Sequence, residues 1–192
     1  ADSLYAIRKL VYEDKKVTMK EYKEALAWNY DKGLDEQSVK DMSEMILKGM
    51  QEGGMNVTED MAKAVLTTVM RLKPTEEQLR RFTEIHHMID EVPKFGNAID
   101  DVDYFARDVA YTYTKPLQKY KNPRGGHYQA GLYPVSANVP LGGQTGATPD
   151  GRYAHTPVAD GVSPSAGKDV KGPTAAATSV SRLDHFIVSN GT

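Results

Sequence analysis

Few residues of this sequence are spaced for chemistry. In "EIHHMID", Glu84 and His87 stand three apart and His86 and Asp90 four apart, spacings that could clasp a divalent metal on one helix face. Phe82, Ile85 and Ile89 of the same segment form its apolar stripe, which leaves those polar groups expected on a wet face. In "AIDDVDYFARD", Asp100, Asp101 and Asp103 resemble the opening of a calcium loop, but the glycine and the closing glutamate are missing. An acidic helix N-terminus, favoured by the helix dipole, accounts for them. "PRGGHY" and "GKDVKG" are glycine-basic turns without the spacing of a phosphate loop. No catalytic residue and no metal ligand is assigned.

"TPDGR" is a turn by composition: Pro149 suits its second position, Asp150 can accept from donors ahead, and Gly151 can take positive φ. The motif fixes a backbone path and aims Arg152. Two readings stand: a surface turn, or a buried Arg152 fork that pairs carboxylates such as Asp160 and holds the loop against another layer. Tyr133, Val135, Ala137 and Val139 alternate with Pro134, Ser136 and Asn138, which predicts one strand from about His127 to Val139. Pro134 lacks a ladder donor, so it marks a bulge, an edge or backbone facing a cavity. Ser136 and Asn138 are then either satisfied by neighbouring loops or face that cavity.

The elements that must position these residues divide near Asn122. Residues 1–121 hold 41 of the 50 charged residues and all eight methionines, whereas residues 122–192 hold 18 of the 26 glycines and prolines. In the first part, apolar residues recur at helical spacing behind start signals. Thr18 with Glu21 forms a capping box ahead of Met19, Tyr22 and Leu26, and Thr75 with Gln78 caps Leu79, Phe82, Ile85 and Ile89. Ser38 opens the stripe Val39, Met42, Ile46, Met50, and Thr58 opens Met61, Val65, Val69, Leu72. A further helix is predicted from Ile99 to about Tyr113, limited by Pro116, after a turn at "VPKFGN". Past Leu141 the chain is turns until Pro173 and Thr174 start a short helix of small residues. A loop of that length is unexpected in a compact domain and points to a function or to a missing partner surface.

With 192 residues the chain can bury a sizeable core. The balance of 24 basic against 26 acidic residues argues against a general nucleic-acid or membrane-surface binder. No apolar run approaches the ~18 residues of a membrane span. Zero cysteines exclude disulfides, thiolate metal sites and a cysteine nucleophile within these residues. The chain starts at Ala1 and stops at "VSNGT", just after the apolar "FIV" has begun, so either end is expected to be a cut end.

Five ordered motifs carry a resemblance: "ADSLYAIRKLVYEDKKVT", "VPKFGNAIDDVD", "NPRGG", "VPLGGQTGATPDGRYAHTPVADGVSPSAGKDVKGPTA" and "SVSRLDHFIVSNGT". With them the chain resembles the glycyl radical enzymes, the family of pyruvate formate-lyase and its dehydratase and lyase relatives. Residues 1–33 and 93–192 are covered, and 34–92 look like a helical insertion. The resemblance implies an α/β fold, part of a ten-stranded α/β barrel wrapped in helices, here with a helix-rich portion over 1–121 and a strand plus long-loop portion over 122–192. It also implies an anaerobic, cytoplasmic, homodimeric parent. A radical-SAM activase would make a glycyl radical near the C-terminus; a central cysteine thiyl would then take hydrogen from a small polar substrate.

The sequence departs from that pattern decisively. The radical cysteine with its glutamate is expected before Ala1 and the radical glycine beyond Thr192, so no glycine present, Gly191 included, is assigned as the radical site and the segment alone is expected to be inactive. It is expected to bind no cofactor. Its family counterpart to "GLYPVSANVPLG" lines the substrate cavity, which makes Tyr133, Val135, Ser136 and Gln129 the substrate-binding candidates; Asp150, Gly151, Arg152 and Asp160 are loop-shaping residues. Expected partners are the rest of the barrel, the activase, a second subunit and a small-molecule substrate, with no nucleic acid and no membrane. The pattern is nearer the dehydratase and lyase branch (glycerol or diol dehydratases, choline or isethionate lyases) than a formate acetyltransferase using pyruvate and coenzyme A. A non-catalytic scaffold is the alternative of another class.

Overall fold

A computed structural model describes residues 1–33, 36–71, 74–132 and 136–190. Tyr133, Pro134 and Val135 lie outside the described residues, as do Leu72 and Gly191.

Helix α1, Asp2–Ile7, runs into a π-helical segment, Arg8–Glu13. Helix α2, Met19–Ala27, begins at the capping box: Thr18 Oγ1 accepts from the Glu21 amide at 3.2 Å, and Glu21 accepts from the Thr18 amide at 2.8 Å. These reciprocal bonds satisfy two donors that a helix start otherwise leaves without partners. Helices α3, Glu36–Glu52, and α4, Glu59–Arg71, form a hairpin, with Thr58 Oγ1 accepting from the Met61 amide. Helix α5, Glu76–Glu91, starts at the Thr75–Gln78 capping box. Helix α6, Asp100–Leu117, ends one residue past Pro116, because a proline in the last turn removes only its own donor before the chain leaves the helix.

Strand β1, Ala130–Gly131, pairs in parallel with β2, Val188–Asn190. Of the strand predicted over 127–139, only Ala130–Gly131 is formed among the described residues. Ser136 and Ala137 lie in a turn, and α7 occupies Asn138–Gly143. Alternating side chains stabilise a strand only where neighbouring strands are present, and β1 has one short partner. Pro140 at the third position of α7 lacks a donor that would have no intrahelical acceptor there anyway. Helix α8, Pro173–Ser181, starts at its proline, as the sequence predicts.

The main core joins Tyr5, Ala6 and Leu10 with Tyr22 and Ala25 of α2, Phe82, Ile85 and Ile89 of α5 and Val102 of α6. Tyr22, Phe82, Ile85 and Ile89 come from the stripes of the sequence, whereas Leu79 and Ile46 of those stripes are exposed; α1 packs on α6 and α2 on α5. A second cluster gathers Phe95, Ala106 and Leu183 under α8. Asp103, expected as one of several charges at a helix start, is completely buried there: it accepts from Ser179 Oγ at 2.9 Å and pairs with Arg182 at 2.5 Å. Arg182 also bridges to Asp100. The carboxylate therefore docks α8, a role that local spacing cannot reveal because its partners lie more than seventy residues away.

Candidate functional site

The long loop after α7 carries the site, and it is held by side chains from three helices. Within Thr148–Arg152 the Gly151 amide donates to the Thr148 carbonyl at 3.1 Å, closing a turn whose Gly151 sits at φ +89°. Each neighbouring acceptor is then taken by another part of the fold. Tyr30 donates to the Thr148 carbonyl at 2.7 Å, Tyr22 to the Pro149 carbonyl at 2.6 Å, and Ser3 to the Asp150 carboxylate at 2.8 Å. The Gly151 carbonyl lies 2.9 Å from His86 Nε2, and since a carbonyl only accepts, that nitrogen carries the hydrogen. Burial pushes the hydroxyls of Tyr22 and Tyr30 well above the ordinary tyrosine value, so both remain donors.

His86 corrects the wet-face expectation for "EIHHMID". It is buried, stacked on Tyr153 at 4.7 Å between ring centroids, and meets Tyr30 edge-on at 4.8 Å. Glu84 and His87 do face solvent. The stripe of α5 is wider than its aliphatic residues because the loop lies over it, and a helical wheel does not register a partner sixty-five residues away. Tyr153 donates to Asp31 at 2.6 Å, and burial together with that carboxylate raises its hydroxyl's pKa.

Arg152 is a fork, but not toward carboxylates. It donates to Thr148 Oγ1 at 3.1 Å and to the carbonyls of Tyr153 at 3.0 Å, Thr156 at 2.6 Å and Gly146. Burial pulls its pKa down, and Asp150 opposes that shift. Both earlier readings of the motif are thereby corrected. The turn is buried at Asp150 and Gly151 and half-buried at Thr148, Pro149 and Arg152, and the guanidinium satisfies loop carbonyls rather than Asp160, which is half-buried. A single planar cation can organise several carbonyls because its five donors radiate in one plane.

This turn forms one wall of a cavity of about 390 Å³, with Asp2, Ser3, Asp150 and Arg152 on its polar side and Phe95, Val109, Leu132 and Leu183 among its apolar lining. Asp2 is buried and accepts from the Phe95 amide at 2.9 Å; burial raises its pKa, a shift the amide bond opposes. Lys94, also buried, has its pKa lowered by burial and donates to the carbonyls of Ile89 and Val92 at the end of α5. Leu132 brings the chain to the cavity just before Tyr133 and Val135. Beyond that pair, Ser136 is exposed in its turn. Gln129 is exposed beside a second hollow that includes Tyr128, Phe186 and Ile187. Among the described residues no three His, Cys, Asp or Glu side chains are grouped to hold a metal, and no helix is long and apolar enough to cross a membrane. Of the clamp residues, Ser3 lies in the first ordered motif and His86 in "EIHHMID", but nothing local assigns either to the loop; Tyr22 and Tyr30 signal only as polar tips in or beside an apolar stripe.

The pyruvate formate lyase-like family matches residues 1–142. The chain belongs to that family. This pyruvate formate lyase-like chain is 46% identical over 123 residues to the probable dehydratase YbiW of Escherichia coli, covering 61% of the chain and 15% of that protein. It is 32% identical over 174 residues to the isethionate sulfite-lyase of Oleidesulfovibrio alaskensis, covering 91% of the chain and 15% of that enzyme. Among solved structures, one concerning 1,2-propanediol dehydration in Roseburia inulinivorans superposes over 99% of the chain with TM-score 0.87 and 57% identity, using 23% of that chain. The glycerol-bound B12-independent glycerol dehydratase of Clostridium butyricum superposes with TM-score 0.62 and 39% identity over 99% of this chain and 18% of its own. The chain thus spans about a sixth to a quarter of the length of these relatives. The described residues of this family member hold one two-stranded sheet and eight α-helices.

Proposed function

We propose that the chain is a segment of a glycyl radical dehydratase that removes water from a small vicinal diol, and that it supplies part of the barrel wall and the loop framework behind the substrate. The observation that carries this reading is the agreement with the 1,2-propanediol-dehydrating structure: 57% identity and TM-score 0.87 over 99% of the chain. The barrel of ten strands, the anaerobic and cytoplasmic setting and the homodimer belong to the same proposal. So do the radical cysteine and glycine in the rest of the parent and the activase that installs the radical. That radical supplies removal and return of a carbon-bound hydrogen, and 1,2-propanediol leaves as propanal and water.

In this reading Tyr133, Val135 and Ser136, with Gln129, are the residues proposed to bind the substrate; in this segment Ser136 is exposed in its turn and Gln129 lies at the second hollow. A tyrosine there offers an apolar ring and a hydrogen-bonding tip, which suits a substrate of three carbons bearing hydroxyls. Asp150 and Arg152 line the 390 Å³ cavity and, with Gly151, shape the loop beside it. The carbonyls of Thr148, Pro149 and Gly151 are each bonded from another part of the fold, and Arg152 ties residues 146 to 156 into one piece, so the wall is preorganised rather than ordered by the substrate. Asp160 belongs to the loop that continues this wall. A rigid, water-poor surround is what radical intermediates require, since side reactions with solvent or with neighbouring C–H bonds compete with turnover.

The test uses the full-length parent, activated anaerobically with its radical-SAM enzyme. A glycyl radical signal by electron paramagnetic resonance and propanal from 1,2-propanediol are expected. Sulfite from isethionate, or formate and acetyl-coenzyme A from pyruvate, as the main product would replace the diol assignment; absence of any radical after activation would favour a scaffold.

A further inference from the structure

Helix α5 bonds both feet of the loop that lines the cavity. At one foot, His86 holds the Gly151 carbonyl at 2.9 Å; at the other, Asp90 pairs with Lys168 at 2.6 Å. His86 and Asp90 are one helical turn apart, and His86 Nδ1 stands 3.6 Å from Asp90 Oδ2, so the two anchors touch. Between the feet, Val158, Gly161, Val162 and Ser165 line the 390 Å³ cavity together with Phe95 and Leu183, against which Val162 packs. The fit at the first foot leaves no slack. A Cβ on Gly151 would lie 3.2 Å from Asp90 Oδ1, 3.3 Å from Ile89 Cγ2 and 3.6 Å from His86 Nε2. At the second foot, Asn97 adds a donation to the Lys168 carbonyl at 2.7 Å, and accepts from the Lys171 amide at 3.1 Å.

We propose that His86 is a positioning residue that, with Asp90, sets the width of this cavity by pinning the loop 152–168 to α5, and so selects among substrates by size. The proposal rests on the dehydratase reading for its substrate class but not for the pinning itself. His86 is the stronger anchor, because its bond is buried and its ring is stacked on Tyr153, whereas the Asp90–Lys168 pair is exposed and weak by nature. Neither residue lines the cavity. Their effect is to keep the wall from relaxing outward, which lowers KM for a diol that fits and leaves the chemical step unchanged.

The test compares His86→Phe, His86→Gln and Asp90→Asn in the full-length parent. Phe keeps a stacked ring and loses the donor; Gln keeps a donor. For H86F, KM for 1,2-propanediol is expected to rise about 5–10-fold, the loss of one buried hydrogen bond, with kcat and radical yield within about twofold. H86Q is expected to recover most of that loss. Hydrogen exchange of peptides spanning 145–156 and 160–170 accelerates together in H86F, and D90N accelerates only the second. Unchanged exchange in both peptides of H86F, or H86Q as impaired as H86F, overturns the proposal. The exchange result decides the pinning even if the parent dehydrates no diol, which separates it from failure of the dehydratase reading.

Discussion

Two adjacent glycines at the end of α7 should respond to alanine with opposite signs. Alanine is favoured over glycine inside a helix by about 1 kcal/mol, so local propensity alone predicts that Gly142→Ala stabilises. The tertiary contacts forbid it. A Cβ on Gly142 would lie 2.3 Å from the Thr156 carbonyl oxygen, 2.6 Å from Pro157 Cα and 2.8 Å from Val158 N, all backbone atoms. Restoring ordinary contact means moving Thr156 from 2.3 to 3.4 Å, a retreat of about 1.1 Å. That retreat stretches the Val158 amide to Asn138 carbonyl bond, now 3.2 Å, and the Arg152 to Thr156 carbonyl bond, now 2.6 Å, beyond bonding range. A neutral bond contributes about 1 kcal/mol and a charge-assisted one about 2, so after the helical gain the net loss is about 2 kcal/mol, with residual overpacking adding to it. At Gly143 a Cβ meets nothing within 4 Å, so G143A is expected to be neutral or stabilising by up to about 1 kcal/mol. Native-state hydrogen exchange of the His155 and Val158 amides in the full-length protein reads the difference. G142A should exchange about 30-fold faster than wild type, and G143A no faster. Equal rates in the two variants would refute the packing argument and leave helix propensity as the governing term.

The tyrosine pair of the clamp offers a graded test. Tyr22→Phe should cost about 1 kcal/mol or more, because among the described residues Tyr22 is the donor to the Pro149 carbonyl, whereas Tyr30→Phe should cost less, since the Thr148 carbonyl also accepts from the Gly151 amide. Exchange protection of residues 148–154 measures both, and a larger cost for Y30F would contradict this reckoning. The capping box at α2 should make stability acid-sensitive. Thr18's hydroxyl and amide, then Arg81, hold the Glu21 carboxyl below its ordinary value of 4.5. A depressed carboxyl pKa stabilises the fold above the unfolded value, and the contribution is lost as pH falls through the folded one. Thr18→Ala should lower stability by about 1 kcal/mol at neutral pH, and Glu21→Gln should flatten the decline below pH 4.5; an unaltered acid slope in E21Q would count against this assignment.

The helices were legible because their signals are local. Thr18 with Glu21 and Thr75 with Gln78 close within four residues, and the stripes Phe82, Ile85, Ile89 and Met19, Tyr22, Leu26 repeat at the helical period, so neither needs a distant partner to be recognised. The "TPDGR" turn was legible as a turn for the same reason: Gly151 takes positive φ there as its flanking residues predict. Among the described residues the strand predicted over 127–139 is reduced to Ala130–Gly131, because its alternating pattern is decided by sheet neighbours and Asn138–Gly143 has helical bonds of its own to make.

The sequence by itself determined where α2, α4, α5, α6 and α8 start and, through its ordered motifs, which family the chain resembles, but not α1, α7 or the Glu36 start of α3. Only the tertiary structure decided what the polar residues do. His86 looked solvated until Tyr153 and the Gly151 carbonyl were placed over it, Asp103 looked like a dipole charge until Ser179 and Arg182 arrived, and Arg152 found carbonyls instead of Asp160. The reason is physical. Apolar burial is non-directional and can be read from periodicity, whereas a hydrogen bond is settled by which donor and acceptor come within about 3 Å, and that is fixed only when distant segments pack.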